Sequence, residues 1–213
     1  MKTTKTICII GASAGVGLEC TRIALERGHH VITLSRSIDS LPKHSNLRSI
    51  QGSATDTAKL SLAMAGAEAV LVTLGTGMDR KPTTLYTDFA KALLPLQAEL
   101  GQVPVQVLTG FGAGDSATYQ GPVAKLLFRL LLKAVYENKS EMERLIKSSA
   151  LNWSLVRPGM LTNGDTRTLP RVQANYHHGM KVGSVSRKAV AQFMVEQAES
   201  PTYLKSKPAL STR

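Results

Sequence analysis

A glycine-rich turn beginning at Gly11 leaves this sequence few folds to adopt. Thr6–Ile10 (TICII) is a short apolar run, as expected of a strand buried on both faces. GASAGVG follows at 11–17, and residues 15–27 then carry helical apolar spacing through Val16, Cys20, Ile23 and Ala24. Gly28 is placed to cap that helix, and a second apolar run at 31–34 completes a strand–turn–helix–strand unit. In such a unit the glycines have separate roles. Gly11 permits the tight turn, Gly15 lets the backbone approach a pyrophosphate, and Gly17 lets the helix pack close to the sheet. Ser13, Ala14 and Val16 sit in the same turn, where free amides and the positive end of the helix dipole favour a phosphate. The bland alternative is a turn that merely needed small residues. The flanking strand, helix and second strand favour a dinucleotide site instead.

The rest of the chain keeps the alternation. A third strand is expected at 46–51, a helix at 57–65, a fourth strand at 69–74, and a helix at 83–100 that Pro95 interrupts. A fifth strand at 103–108 precedes a Gly/Ser/Thr-rich loop at 110–120. Helical pattern returns at 122–149, and a sixth strand at 153–156 is stopped by Pro158-Gly159. Residues 161–185 read as irregular, 187–199 as a last helix, and 202–204 as a short final strand. Strands joined by helix-length crossovers mean parallel βαβ units, so the expected fold is α/β: a Rossmann-type, doubly wound parallel sheet in a single domain spanning 1–213. The loops after the fifth and sixth strands lie at carboxyl ends, where such sheets bind ligands.

The end of the second strand bears on cofactor choice. An NAD site usually places Asp or Glu there for the ribose 2′-hydroxyl. This chain has Ser35-Arg36, and an arginine can hold a 2′-phosphate with paired donors, so NADP(H) is the expected cofactor. A surface arginine with no ligand is the alternative. Lys43, His44 and Arg48 add positive charge nearby, and the formal net charge of +11 also suits a phosphate-bearing ligand. The basic residues form no long run, so no nucleic-acid partner is expected. No apolar run reaches membrane-spanning length, and the start of the chain has no signal-peptide pattern. Cys8 and Cys20 have no metal-ligand spacing and read as buried, reduced residues of a cytoplasmic protein. Neither they nor the adjacent His177 and His178 suggest a metal. A monomer or weak homodimer is expected.

These motifs, with LSRS at 34–37, LVTLGTGMDRKPTT at 71–84, LTGFGAGDS at 108–116, LNWSLVRPGML at 151–161 and GSVSRKAVAQFM at 183–194, resemble the atypical short-chain dehydrogenases/reductases. The similarity is to the NAD(P)H-binding branch near biliverdin-IX-beta reductase (flavin reductase) and the NmrA-like proteins. It implies that Leu74, Gly75 and Thr76 run past the adenosine ribose and pyrophosphate, that Thr109 lies near the nicotinamide, and that the backbone of Pro158, Gly159 and Met160 meets the carboxamide. Ser53 and Ala54 stand where the family commonly has an Asp after the third strand, so adenine contacts there would rest on Ser53 or on backbone. The family's catalytic Tyr-x-x-x-Lys has no match. Tyr136 and Lys139 are one residue too close, which puts Tyr136 on a different helix face from the family's geometry while leaving both able to face the sheet edge, and the position of an alternate serine is Gly110.

The catalytic candidates are therefore Thr109, Lys139 and Tyr136. Lys139 could hold the nicotinamide ribose, or could be a solvated lysine pairing with Glu143 at i+4. Tyr136 is expected to be dispensable. Asp115 and Ser116 read as loop-forming, and Lys125, Arg129 and Lys133 as the solvated stripe of an amphipathic helix. Two functions remain open: an NADPH-dependent reductase of a small organic substrate (flavin, quinone, aldehyde or tetrapyrrole-like), and a non-catalytic NADP(H)-binding sensor or regulator of the NmrA-like type.

Overall fold

The computed structural model describes residues 3–77, 83–119, 132–164, 169–177 and 179–212. Its strands are β1 (Thr6–Ile10), β2 (His30–Ser35), β3 (Leu47–Gln51), β4 (Ala69–Val72), β5 (Pro104–Leu108), β6 (Asn152–Pro158), β7 (Met160–Thr162), β8 (Arg171–Gln173), β9 (Ser184–Ser186) and β10 (Ala209–Ser211). Among the described residues the helices are α1 (Gly15–Glu26), α2 (Thr57–Met64), α3 (Leu85–Leu93), α4 (Gln97–Leu100), α5 (Lys133–Lys147) and α6 (Arg187–Glu199). A 3-10 turn, Leu94–Leu96, joins α3 to α4 and carries Pro95, whose ring cannot continue an α-helix.

Eight strands form one sheet in the order β3-β2-β1-β4-β5-β6-β10-β8, parallel throughout except where β8 runs antiparallel to β10. The chain winds outward from β1 in both directions, as a doubly wound sheet requires. Alternation along β1 assigns its two faces. Cys8 and Ile10 enter one apolar layer with residues of α2, α3 and α5, and Ile7 and Ile9 enter the other with residues of α1 and α6. Both layers are buried, which explains why the central strands read as unbroken apolar runs. Cys8 and Cys20 are buried free thiols, and burial pushes the Cys8 thiol up to about 12.

Three readings need correction. The segment 161–185 contains β8 and pairs β7 with β9 in a small parallel sheet of its own. That pairing is non-local and leaves no periodic signal in three-residue strands. The final strand is β10 at 209–211, beside β6, and 202–204 forms none. The fourth strand ends at Val72, and the Thr73 amide closes its ladder with β1 by donating to the Ile10 carbonyl at 2.8 Å. Lys125 and Arg129 of the basic stripe, together with His178, lie outside the described residues; Lys133 is exposed and pairs with Glu137.

Candidate functional site

The glycine turn sits at the carboxyl end of β1, between the ends of β2 and β4. Gly11 (φ +86°) and Gly15 (φ +56°) both occupy the left-handed region that favours glycine. A Cβ on Gly17 would overlap the Gly11 carbonyl oxygen and the Thr73 hydroxyl, so that glycine sets how closely α1 approaches β4. Thr73 braces the turn from the far side, its hydroxyl lying 3.0 Å from the Ile10 carbonyl and 3.1 Å from that of Gly11. Ser35 braces it from β2: its buried hydroxyl accepts the Ala12 amide at 2.8 Å. The side chain of Ser35 is thus spent on the protein itself. The Ser13 carbonyl accepts the Ser40 hydroxyl. The first turn of α1 has no side-chain cap and no acid, whereas α2 is capped by Asp56 and α6 by Ser186. Uncapped amides at a helix start form a site for an anion.

Arg36 follows at the end of β2, exposed, as are Lys43, His44 and Arg48. Ser53 shares a hydrogen bond of 2.8 Å with Thr55 at the end of β3, beside buried Ala54. Leu74, Gly75 and Thr76 leave β4 partly or fully exposed.

At the end of β5 four groups converge. Lys139 reaches in from α5 and donates from Nζ to the Thr109 carbonyl at 2.7 Å. The same Nζ lies 5.1 Å from the ring centre of Tyr86 and 5.4 Å from that of Tyr136. Burial holds the Lys139 ammonium down at about 8, against a smaller upward pull from Glu143. Burial, with Tyr86 adding to it, pushes the Tyr136 phenol up to about 12. The Tyr136 hydroxyl stands 2.8 Å from where a Cβ of Gly110 would be, so it fills the place a side chain at 110 would take. Tyr136 and Lys139, three residues apart on α5, share one face of the helix toward the end of β5. Thr109 is buried, and its hydroxyl turns to the Val156 carbonyl at 3.4 Å.

Glu143 is not the partner of Lys139. It is fully buried, and both its oxygens bind Arg157 of β6, the Nε contact measuring 3.0 Å. Arg157 also donates to Asp115 at 2.6 Å, and Lys207 pairs with the other Asp115 oxygen. This network ties α5 to the strand that leads into Pro158. Beyond it, a Cβ on Gly159 would overlap the Gly183 carbonyl, and the amides of Gly159 and Met160 donate to Leu210 and Gly183. The carboxamide contacts implied for this segment must then come from groups other than those two amides. Pro158 is buried, and Met160 is 72% exposed.

The sequence pattern of the NAD(P)H-binding family matches residues 11–201, from the first glycine of the turn to just past α6. The chain belongs to that family. Solved structures of the same fold include the anaerobillin reductase ChuY of Escherichia coli O157:H7, with TM-score 0.76, 23% identity, and coverage of 97% of this chain and 96% of that one. Another is a short-chain dehydrogenase/reductase of Veillonella parvula DSM 2008 in complex with NADP, with TM-score 0.78, 20% identity, and coverage of 98% and 95%. A third is the oxidoreductase ylbE of Lactococcus lactis, with TM-score 0.78, 15% identity, and coverage of 98% and 91%.

The groups of this NAD(P)H-binding protein fit a dinucleotide. The glycine turn is braced on both sides, the start of α1 is open to an anion, and cations stand at the end of β2. Sequence reasoning missed Thr73 and Tyr86, whose roles depend on contacts between segments far apart in the chain. It also missed a cleft of about 400 Å³ between the start of α1 and the start of α6, lined by Gly15, Glu19, Thr162, Asn163, Arg187 and Lys188, among others. One signal for it was present: two cations open α6, where the helix dipole favours acids. Among the described residues no group of three or more His, Cys, Asp and Glu could hold a metal ion, and no helix is long and apolar enough to cross a membrane.

Proposed function

We propose that this protein is an NADPH-dependent oxidoreductase that reduces a small organic substrate. The observation that carries the reading is the half-buried lysine–tyrosine pair at the end of β5: Lys139 on the Thr109 carbonyl, with Tyr136 beside it. When bound, the cofactor would supply a hydride from its nicotinamide, and the protein would supply position and electrostatics. Gly11, Ser13, Ala14, Gly15, Val16 and Gly17 would hold the pyrophosphate on backbone groups. Arg36 would hold the 2′-phosphate, and Ser53, Ala54, Leu74, Gly75 and Thr76 would border the adenosine half. Lys139 would donate to the nicotinamide-side ribose, and the backbone of 158–160 would border the ring.

Tyr136 has a narrower role. A phenol near 12 stays protonated at neutral pH, so it can donate a proton but not remove one. That gives the hydroxyl a use wherever the substrate develops charge on oxygen. A substrate that takes its proton from water would not need it. Thr109 acts by placing Lys139.

The decisive test is steady-state NADPH oxidation with a panel of flavins, quinones, aldehydes and linear tetrapyrroles. Turnover of at least one class is expected. Tight NADPH binding with no turnover on any of them would overturn the reductase reading in favour of an NADP(H)-binding regulator.

A further inference from the structure

The cleft beside the glycine turn has a basic wall with no part in the contacts described so far. Arg187 opens α6, and its side chain lies over the turn, with Nε 3.8 Å and Cδ 3.9 Å from where a Cβ of Gly15 would stand. Its Nη1 donates to Asn163 at 2.7 Å, so a neighbouring loop fixes the direction of the guanidinium. This arrangement is electrostatically costly without a ligand. A cation in the first turn of a helix opposes the helix dipole, and here it also faces the uncapped start of α1. Glu19, the one acid among the described residues lining the cleft, is turned onto Arg22 at 3.1 Å. The charge that would balance Arg187 is an anion, and a guanidinium with a fixed fork suits phosphate oxygens best.

We infer that Arg187 clamps the pyrophosphate of the dinucleotide, and does so on its nicotinamide side. The inference rests on the proposed placement of the dinucleotide along the glycine turn. The sheet order assigns the side. Arg36 lies at β2, on one flank of β1, whereas the Arg187 wall includes Thr162, the last residue of β7, and Asn163 after it, which follow β6 beyond the opposite flank. A ligand crossing the turn from Arg36 toward β5 and β6 meets Arg187 after the adenosine half has ended.

The test is titration calorimetry on wild type, Arg187→Gln and Arg187→Lys with NADPH, NADH and 2′,5′-ADP, a fragment that has the 2′-phosphate and the adenine-side phosphate only. Arg187→Gln should weaken NADPH and NADH by the same factor, about tenfold or more, and leave 2′,5′-ADP within about twofold. Arg187→Lys, which keeps the charge and loses the fork, should fall between. Without ligand, the melting temperature of Arg187→Gln should be equal to or above that of wild type, because a repulsion has been removed. Unchanged NADPH and NADH affinities in both variants would overturn the clamp while leaving the cofactor reading intact. An equal loss of 2′,5′-ADP would overturn it too, since the residue would then act on the adenosine side or on the fold. A wild-type protein that binds neither dinucleotide would overturn the proposed function, and the clamp with it.

Discussion

Arg36 carries the sharpest prediction at the level of single residues. It is exposed at the end of β2 with no acid in the adjoining Ser35 or Ser37 positions. Arg36→Ala should weaken NADPH by about 1.5–3 kcal/mol, the contribution of charge-assisted hydrogen bonds, and change NADH little. Equal losses for both cofactors by calorimetry would remove Arg36 from the 2′-phosphate. Lys139 predicts a pH dependence. Its ammonium titrates at about 8, so it is charged below that pH and loses its proton as pH rises through it. The apparent KM for NADPH should rise across that window, and Lys139→Arg, which stays charged, should flatten the profile. Tyr136→Phe divides substrate classes. With an aldehyde, kcat should fall by about 10²-fold or more at unchanged NADPH affinity, as for a lost general acid. With a flavin or quinone protonated by water it should fall far less. A uniform small effect across all classes would return Tyr136 to a packing role.

At the scale of elements, the glycine turn combines two distinct demands. Gly17→Ala should destabilise the fold by about 1–3 kcal/mol, read from chemical denaturation, because its Cβ collides with the Gly11 carbonyl and with Thr73. Gly15→Ala has only ordinary contacts with the Arg187 side chain, so its structural cost is that of a left-handed alanine, about 1 kcal/mol. It should instead lose affinity for both dinucleotides. The reverse pattern would place the ligand elsewhere on α1. Helix α5 is anchored by a different device. Glu143 and Arg157 are both fully buried and share two contacts, so α5 cannot slide along β6 without stranding a charge. Glu143→Ala should cost about 3 kcal/mol, since Asp115 keeps one contact to Arg157. It should also raise the KM for NADPH through displacement of Lys139, one turn earlier.

For the whole molecule, the same network links α5, β6, the loop after β5 and the segment before β10. Burial would raise the Asp115 carboxyl, but bonds from Lys207 and Arg157 outweigh it and hold the group at about 2, below its ordinary 3.8. A carboxyl depressed in this way adds stability above its ordinary value and loses it as pH falls from about 4 toward 2. Acid unfolding of wild type should therefore be steeper in that window than that of Asp115→Asn, and coincident curves would show that the exposed half of the network contributes nothing. On the opposite side of the sheet, α1 and α6 pack over one apolar layer. The start of each helix lies at the cleft, so the packing of these two helices sets the width of the proposed phosphate site.

Local chemistry settled the fold. Unbroken apolar strands, 3.6-residue periodicity and glycines at the first turn can form only a parallel, doubly wound sheet, and Ser35-Arg36 was readable because it adjoins a strand end in the chain. What depended on contacts between distant segments was not readable. Three-residue strands such as β7, β9 and β10 form only because a neighbour presents its backbone, and no short strand announces its partner. The Tyr136–Lys139 spacing departs from the family's pattern, and only the fold shows Lys139 on the Thr109 carbonyl and the Tyr136 hydroxyl at Gly110. Glu143 looked like a solvated partner for Lys139 at i+4 until Arg157, fourteen residues on, claimed it from beneath. Arg187 showed in sequence only as a cation in an unfavourable place at a helix start. Its position against Gly15 exists because α6 packs on α1, and a packing interface is a property of the folded chain alone.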